Sequence, residues 1–384
     1  MKKRAYWHNR IEAAWERDSL LWLSGVRQAG KTILGKSLDE IEYFNCQIPR
    51  IRRQMEKPRD FLSAVAGKRL VIDEIHRLRE PSELLAAAAD EFPGTRILAT
   101  GPSAFRVSPA FRQRLENRVR EIWLTPMMSA GLADFGNGDV IHRLKAGGLP
   151  PFFMSSQLSE SEYQGWMDAY WARDIQARVR VSKHWSFQRF MEMLFEHSGE
   201  VFEAVRYAEP CGITHPTVAN YLKILEETLV VHLVRPYTTK RPTEIVSAPR
   251  VYAFDTGFVC YYRGWGEICD ENRSDLWRHF ILNEIQSRSQ FRGVRYWRDK
   301  SGHDVDFVLA GSGDGPVAIQ CGWTVDQADL RSIRAFRYQY PVGGNWLVCQ
   351  DAGEPYEFVD GGTSFRVIGL DALAELLETK RLAA

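Results

Sequence analysis

Gly25-Val26-Arg27-Gln28-Ala29-Gly30-Lys31-Thr32 has the form G-x-x-x-x-G-K-[ST], a phosphate-binding loop. The two glycines let the backbone curl until successive N–H groups point inward at an anion. The helix start behind the loop adds its partial positive charge. Lys31 is placed to reach the β- and γ-oxygens of a nucleoside triphosphate, and the Thr32 hydroxyl to ligate Mg²⁺. Gly25, Val26, Arg27, Gln28, Ala29, Gly30, Lys31, Thr32 and Ile33 are therefore the expected nucleotide contacts. ATP and Mg²⁺ are the expected cofactors.

A second chemical signal follows downstream. Leu70-Val71-Ile72 is a short apolar run that ends in Asp73-Glu74. Asp73 suits the water shell of Mg²⁺, and Glu74 suits the orientation and deprotonation of an attacking water. The second acid argues for water as the phosphoryl acceptor. A third apolar run, Arg96 to Ala99, ends in Thr100-Gly101-Pro102-Ser103. A polar residue there would sense the γ-phosphate, with Thr100 the first choice and Ser103 the second. Arg112, Arg114, Arg118 and Arg120 come next, and one of them could reach a neighbouring subunit's site as an arginine finger.

These residues need a scaffold. Leu20-Leu21-Trp22-Leu23 reads as a buried strand before the loop, and Thr32 to Leu38 as the helix after it. Residues 1–150 alternate strand-like and helical runs, the pattern of a parallel α/β sheet. Gly147-Gly148-Leu149-Pro150-Pro151 breaks that pattern and marks a first boundary. Glu162 to about His197 reads as a helical subdomain. A short helix over Val201–Tyr207, a turn at Pro210–Ile213, a helix capped by Thr214 and a strand over Leu229–Val234 make a winged helix-turn-helix outline, so 151–245 is taken as one unit. Its polar reach toward DNA is His215, Asn220 and Lys223, with Arg235, Lys240, Arg241 and Arg250 on the arm that follows. Residues 246–384 read as another α/β unit: a helix over Trp277–Ser287, strands at Val294–Trp297, His303–Leu309 and Val317–Cys321, and a hairpin loop at Gly311–Pro316.

At 384 residues, 45% of them hydrophobic, the chain is long enough for two or three domains. A net charge of +1 gives no global attraction to nucleic acid, so any such contact must come from local patches. Six cysteines without a C-x-x-C pair read as reduced thiols in a cytoplasmic protein. No apolar run is long enough to span a membrane, and the basic start lacks a signal-peptide core.

Taken together, the segments resemble a family of bacterial and archaeal AAA+-like ATPases that carry a C-terminal domain of unknown function. The resemblance rests on the loop at 25–32, I-D-E-I at 72–75, T-G-x-S at 100–103, N-R-V at 117–119 and Leu124-Thr125-Pro126. It rests further on Gly147 to Pro150, R-D-I at 173–175, I-T-x-P-T-V-x-x-Y-L at 213–222 and D-V-D-F-V at 304–308. It implies a nucleotide site at Lys31, Thr32, Asp73 and Glu74 and makes Arg118 the finger, although Asn117 stands where the family has glycine. The C-terminal domain is similar to a restriction-endonuclease-like fold. Asp306 and Glu284 match its acids, while Gln320 and Gly322 fall where active members carry Glu and Lys, so hydrolysis of a phosphodiester is not expected. The resulting expectation is an Mg²⁺-dependent ATPase, homo-oligomeric, acting on or with DNA through its winged-helix and C-terminal regions. The alternatives are a nucleotide-gated switch that binds a protein partner with slow or no turnover and, third, a metal-dependent nuclease.

Overall fold

The computed structural model describes residues 2–103, 109–115, 117–155, 159–176, 184–238, 248–310 and 315–379. Lys240, Arg241, the side chain of Arg112 and the 311–314 part of the expected hairpin loop lie outside them.

The first sheet holds β1 (Leu20–Ser24), β2 (Glu42–Asn45), β3 (Arg69–Asp73), β4 (Arg96–Thr100) and β5 (Arg120–Trp123), in the order β2-β3-β4-β1-β5. Every pairing is parallel, with Leu21 beside both Leu98 and Arg120. β1 is buried along its whole length because both faces of a parallel sheet are covered. Side-chain alternation then divides the core. Leu20, Trp22, Leu70, Ile72 and Ile97 pack on one side with Leu62, Leu84 and Phe111. Leu21, Leu23, Val71, Leu98 and Ile122 pack on the other side, in a core continuous with the rest of the chain. The helix Lys31–Ser37 follows the loop at the carboxyl end of β1.

The middle of the chain is helical: Pro150–Phe153, Glu160–Tyr170, a π turn over Trp171–Ile175, His184–Glu196, Ala204–Ala208 and His215–Glu227. Ser159 and Glu162 form a capping box at the second of these. Thr214 occupies the N-cap position of the last, but its hydroxyl meets the Thr217 hydroxyl at 2.9 Å and caps no backbone N–H. The break at Gly147-Gly148 is a buried corner. A Cβ at Gly147 would collide with the Asp255 carboxylate, which accepts the Gly148 N–H at 2.6 Å.

The second sheet has eight strands in the order β12-β13-β11-β10-β9-β8-β6-β7. They are β6 (Val231–Pro236), β7 (Arg250–Ala253), β8 (Arg295–Arg298), β9 (Asp304–Leu309), β10 (Val317–Gly322), β11 (Asn345–Cys349), β12 (Tyr356–Asp360) and β13 (Thr363–Ile368). β6 pairs antiparallel with β7 and parallel with β8. The boundary expected at 245/246 thus falls between two strands that pair with each other. The helix Asp270–Ser289 is longer than the expected Trp277–Ser287, and from Leu276 to Arg288 only Arg278 is not buried.

That helix also ties the two sheets together. Asn283 Nδ2 donates to the Pro126 carbonyl at 3.2 Å, and the Thr125 and Ser287 hydroxyls bond to each other. Gln290, the left-handed residue that ends the helix, accepts the Trp123 N–H at 2.6 Å and donates to its carbonyl at 3.0 Å. All six cysteines are free thiols, and only Cys269 is exposed. Among the described residues no helix is long and apolar enough to cross a membrane.

Candidate active site

The loop between β1 and its helix has the backbone an anion cradle needs. Gly25 and Gly30 have φ of 150° and 99°, and Gln28 between them has φ of 64°. Gly25 could be nothing else, because a Cβ there would collide with the Leu124 carbonyl. Lys31 Nζ lies over the loop, donating to the Gly25 and Val26 carbonyls at 2.7 and 3.0 Å. Burial pushes its ammonium below the ordinary lysine range, with Asp174 and Glu74 opposing that shift.

Asp73 lies at the end of β3, directly beside this loop. Its Oδ2 accepts the Thr32 hydroxyl at 2.9 Å and the Tyr43 hydroxyl at 2.7 Å, and its Oδ1 accepts the Thr100 hydroxyl. Thr100 in turn accepts the Glu74 N–H at 3.1 Å. Glu74 takes the left-handed conformation (φ 56°, ψ 41°), which costs a residue with a side chain about 1–3 kcal/mol. That turn places its carboxylate on the cleft, 3.3 Å from His76 Nδ1. Burial first, then the Asp73 charge, raises the Glu74 carboxyl above its ordinary range; Lys31 opposes the shift.

The cleft has a volume of about 750 Å³. One wall is the loop with Thr32 and Ile33, one is Glu74 with Gly101 and Ser103, and a third comes from the middle region through Tyr170, Arg173, Asp174, Thr228 and Val230. Ser103 faces this space and its hydroxyl is buried without a hydrogen-bond partner among the described residues, whereas Thr100 stands behind the acids.

Residues 17–131 match a family model described as an AAA domain. That stretch, which holds the phosphate-binding loop, is an AAA-like domain by similarity. Residues 137–268 and 274–371 match two models described as Domain of unknown function (DUF8612) and Domain of unknown function (DUF4143). An uncharacterized protein of Mycobacterium tuberculosis and one of Mycobacterium bovis are each 26% identical over 85% of this chain and 75% of theirs. Among solved structures, a Walker-type ATPase of Pyrococcus abyssi aligns with TM-score 0.46 and 14% identity, over 68% of this chain and 96% of its own. A DNA polymerase III gamma subunit-related protein of Thermotoga maritima aligns with TM-score 0.26 and 10% identity, over 57% and 96%.

The residues of the AAA domain fit ATP with Mg²⁺. The cradle backbone is preset, and Thr32 and Asp73 put two hard oxygen donors 2.9 Å apart. Mg²⁺ is ordinarily held by one or two carboxylates plus substrate phosphates, not by a cage of protein ligands. The described residues contain no cluster of three or more His, Cys, Asp or Glu able to hold a metal alone.

Four contacts come from residues outside the phosphate-loop and acidic-strand motifs. Tyr43 is a third hydroxyl donor to Asp73. Asp174 accepts from Arg27 Nε at 3.1 Å, and Trp166 Nε1 donates to the Arg27 carbonyl at 3.3 Å, so the middle region grips the phosphate loop. Buried Arg4 donates to the Ala29 carbonyl at 3.0 Å from behind the loop; burial lowers its pKa to about 10. Of these, only Asp174 lay within a recognised run of sequence.

Arg118 does not join the Lys31 cleft of its own chain. It is about half exposed and pairs with Asp90 at 2.7 Å. The arginines that line the cleft are Arg27, Arg52, Arg77 and Arg173.

The C-terminal acids are not brought together. Asp306, on β9, holds Arg278 Nε at 2.7 Å and accepts the Cys321 N–H at 2.8 Å. Arg278 is correspondingly held far up by Asp306. Glu284 accepts from the Ser129 N–H and from Arg288 Nε at 3.0 Å, and Arg288 also meets Glu378 at 2.8 Å. One acid therefore serves the sheet interior, and the other the joint with the AAA domain. Gln320 is buried on β10 with its Oε1 unpaired.

Proposed function

We propose that this protein is an Mg²⁺-dependent ATPase whose turnover drives movement of its middle and C-terminal regions on DNA. The observation that carries the reading is the convergence of Lys31, Thr32, Asp73 and Glu74 on one cleft that the Arg27–Asp174 pair ties to the middle region. The loop amides from Gly25 to Lys31 bind the phosphates, and Ile33 borders them. Thr32 and Asp73 would hold the metal, which would supply charge neutralisation at the phosphates. Glu74, with its raised pKa, accepts a proton from the attacking water, and Thr100 fixes both acids from behind. Ser103 is the hydroxyl on the cleft itself.

Arg118, outside its own cleft, serves a neighbouring copy in a homo-oligomer. The helix His215–Glu227 and the arm from Arg235 supply DNA contact, and the second sheet is an assembly platform that does not cut DNA. This is tested by phosphate release from ATP with and without single-stranded, duplex and branched DNA, beside a size measurement with ATP. Mg²⁺-dependent turnover that DNA changes, in an assembly larger than one chain, is expected. ATP binding without turnover would favour the nucleotide-gated switch instead.

A further inference from the structure

A second groove, of about 940 Å³, opens beside the ATP cleft and shares Arg52 and Arg77 with it. Its walls are the end of the short helix Pro49–Gln54 with Met55–Pro58, and the segment Arg77–Glu80 that follows Glu74. Arg52, Lys57, Arg77, Arg79 and Arg114 line it, against Glu56, Glu80 and Glu83. The helix also carries Arg50 and Arg53, both exposed, and buries none of its side chains.

Several exposed cations elsewhere on the AAA domain are matched: Arg59 with Glu91 at 2.8 Å, Lys68 with Glu42 at 2.6 Å, Arg118 with Asp90 at 2.7 Å. Among the described residues Arg50, Arg53, Arg77, Arg79 and Arg114 hold no acid within ion-pair distance, and Arg52 donates only to the Cys46 and Gln47 carbonyls. The chain carries 49 acids for 50 lysines and arginines, so acids are not scarce overall. Leaving Arg77, Arg79 and Arg114 unmatched along one groove sacrifices pairing for a positive local field, which suits a polyanion.

We propose that this groove binds the phosphodiester backbone of single-stranded nucleic acid. A basic groove that tracks a backbone is the single-strand mode; a duplex calls for a broad face or an element that enters a groove. Among the described residues the groove has no aromatic lining, so affinity rests on charge, is independent of sequence and weakens steeply with salt. Its position deepens the ATPase reading, on which this second part of the inference rests. Glu74 sits in a strained left-handed turn, Arg77 ends the 3₁₀ turn Ile75–Arg77 that follows it, and Arg79 lies two residues further on. A strand held by Arg77 and Arg79 therefore acts on the turn that aims the catalytic carboxylate.

The test uses the full chain and a fluorescein-labelled oligothymidylate, with anisotropy measured over a range of salt. Arg79→Ala/Arg114→Ala removes two exposed cations that line the groove but not the ATP cleft. It is expected to weaken binding about tenfold and to flatten the log K against log salt slope by about 1.4, or 0.7 for each lost contact. Basal ATP turnover should persist while stimulation by the oligonucleotide disappears. Unchanged affinity and slope would overturn the proposal, as would a loss seen only in Asn220→Ala/Lys223→Ala. Equal binding of duplex DNA with the same sensitivity would overturn the single-strand assignment, and equal binding of poly-glutamate the nucleic-acid assignment. The binding readout needs no turnover, so a chain that never hydrolyses ATP fails the ATPase reading while the groove is still decided.

Discussion

The two sheets each carry a strand with a buried acid, and the two acids are satisfied in opposite ways. Asp73 at the end of β3 accepts three hydroxyls, from Thr32, Tyr43 and Thr100, and has no cationic side chain within ion-pair distance among the described residues. Asp306 on β9 is 3% exposed, as Asp73 is, but has a guanidinium against it and a backbone N–H on its other oxygen. Hydroxyls solvate a carboxylate without cancelling its charge, so Asp73 keeps its attraction for a metal. Arg278 already supplies the positive charge that Asp306 requires. Similar burial of the same side chain thus gives a site open to a cation in one sheet and an internal ion pair in the other.

Breaking the AAA side of this comparison should have the largest effect. Lys31→Ala removes the cation fixed over the phosphate loop, and isothermal calorimetry should find ATP binding abolished. Tight ATP affinity in that variant would place the nucleotide elsewhere. Glu74→Gln should retain ATP but slow turnover by about 10²–10⁴-fold, because the amide keeps the shape and loses the base. Phosphate release at the parent rate would remove Glu74 from the chemistry.

The second sheet should respond in stability instead. Arg278→Met leaves the Asp306 carboxylate buried and unpaired, and should cost about 3 kcal/mol in denaturant unfolding. Adding Asp306→Asn should recover much of that loss. If the single variant unfolds like the parent, the pair is not what holds β9 against the helix.

Subtler is the acid limb of the pH–rate profile. The Glu74 carboxyl is raised, so its reactive, deprotonated form is lost as pH falls through a value above the ordinary carboxylate range. ATPase activity should therefore decline at a higher pH than an unperturbed glutamate allows, and a limb at the ordinary value would contradict the desolvated site. The smallest effect is expected from Asp306→Ala, which should leave the ATPase rate of folded protein unchanged. No nicking of single-stranded or duplex DNA is expected with Mg²⁺ or Mn²⁺ before or after the substitution. Cleavage that vanished with Asp306 would erase the contrast between the sheets.

What could be read from the chain follows how local each determinant is. The phosphate loop, the Asp73-Glu74 strand end and the Thr100–Ser103 corner are contiguous runs whose spacing encodes their geometry. Tyr43, Arg4 and Trp166 meet the site across long sequence distances, and no periodicity marks them. The helix Asp270–Ser289 begins well before Trp277, and its first turns, Asp270 to Asp275, are polar and mostly not buried, so no apolar spacing marks them as helical. The acids at Glu284 and Asp306 were legible as residues but not as partners, since only the fold shows that Arg288 and Arg278 claim them separately. Thr100 and Ser103 are close in sequence, yet one stands behind the acids and the other lines the cleft.

The Gln290 side chain bonds both the N–H and the carbonyl of Trp123 on β5, the outer strand of the first sheet. One amide group thereby mimics the hydrogen bonding of an adjacent strand. An outer strand with its backbone groups unpaired is a template for pairing with another chain. The C-terminal half of the protein thus also covers part of the outer edge of the first sheet. Shortening the chain to its nucleotide-binding half would remove that cover and leave β5 free to recruit copies of itself.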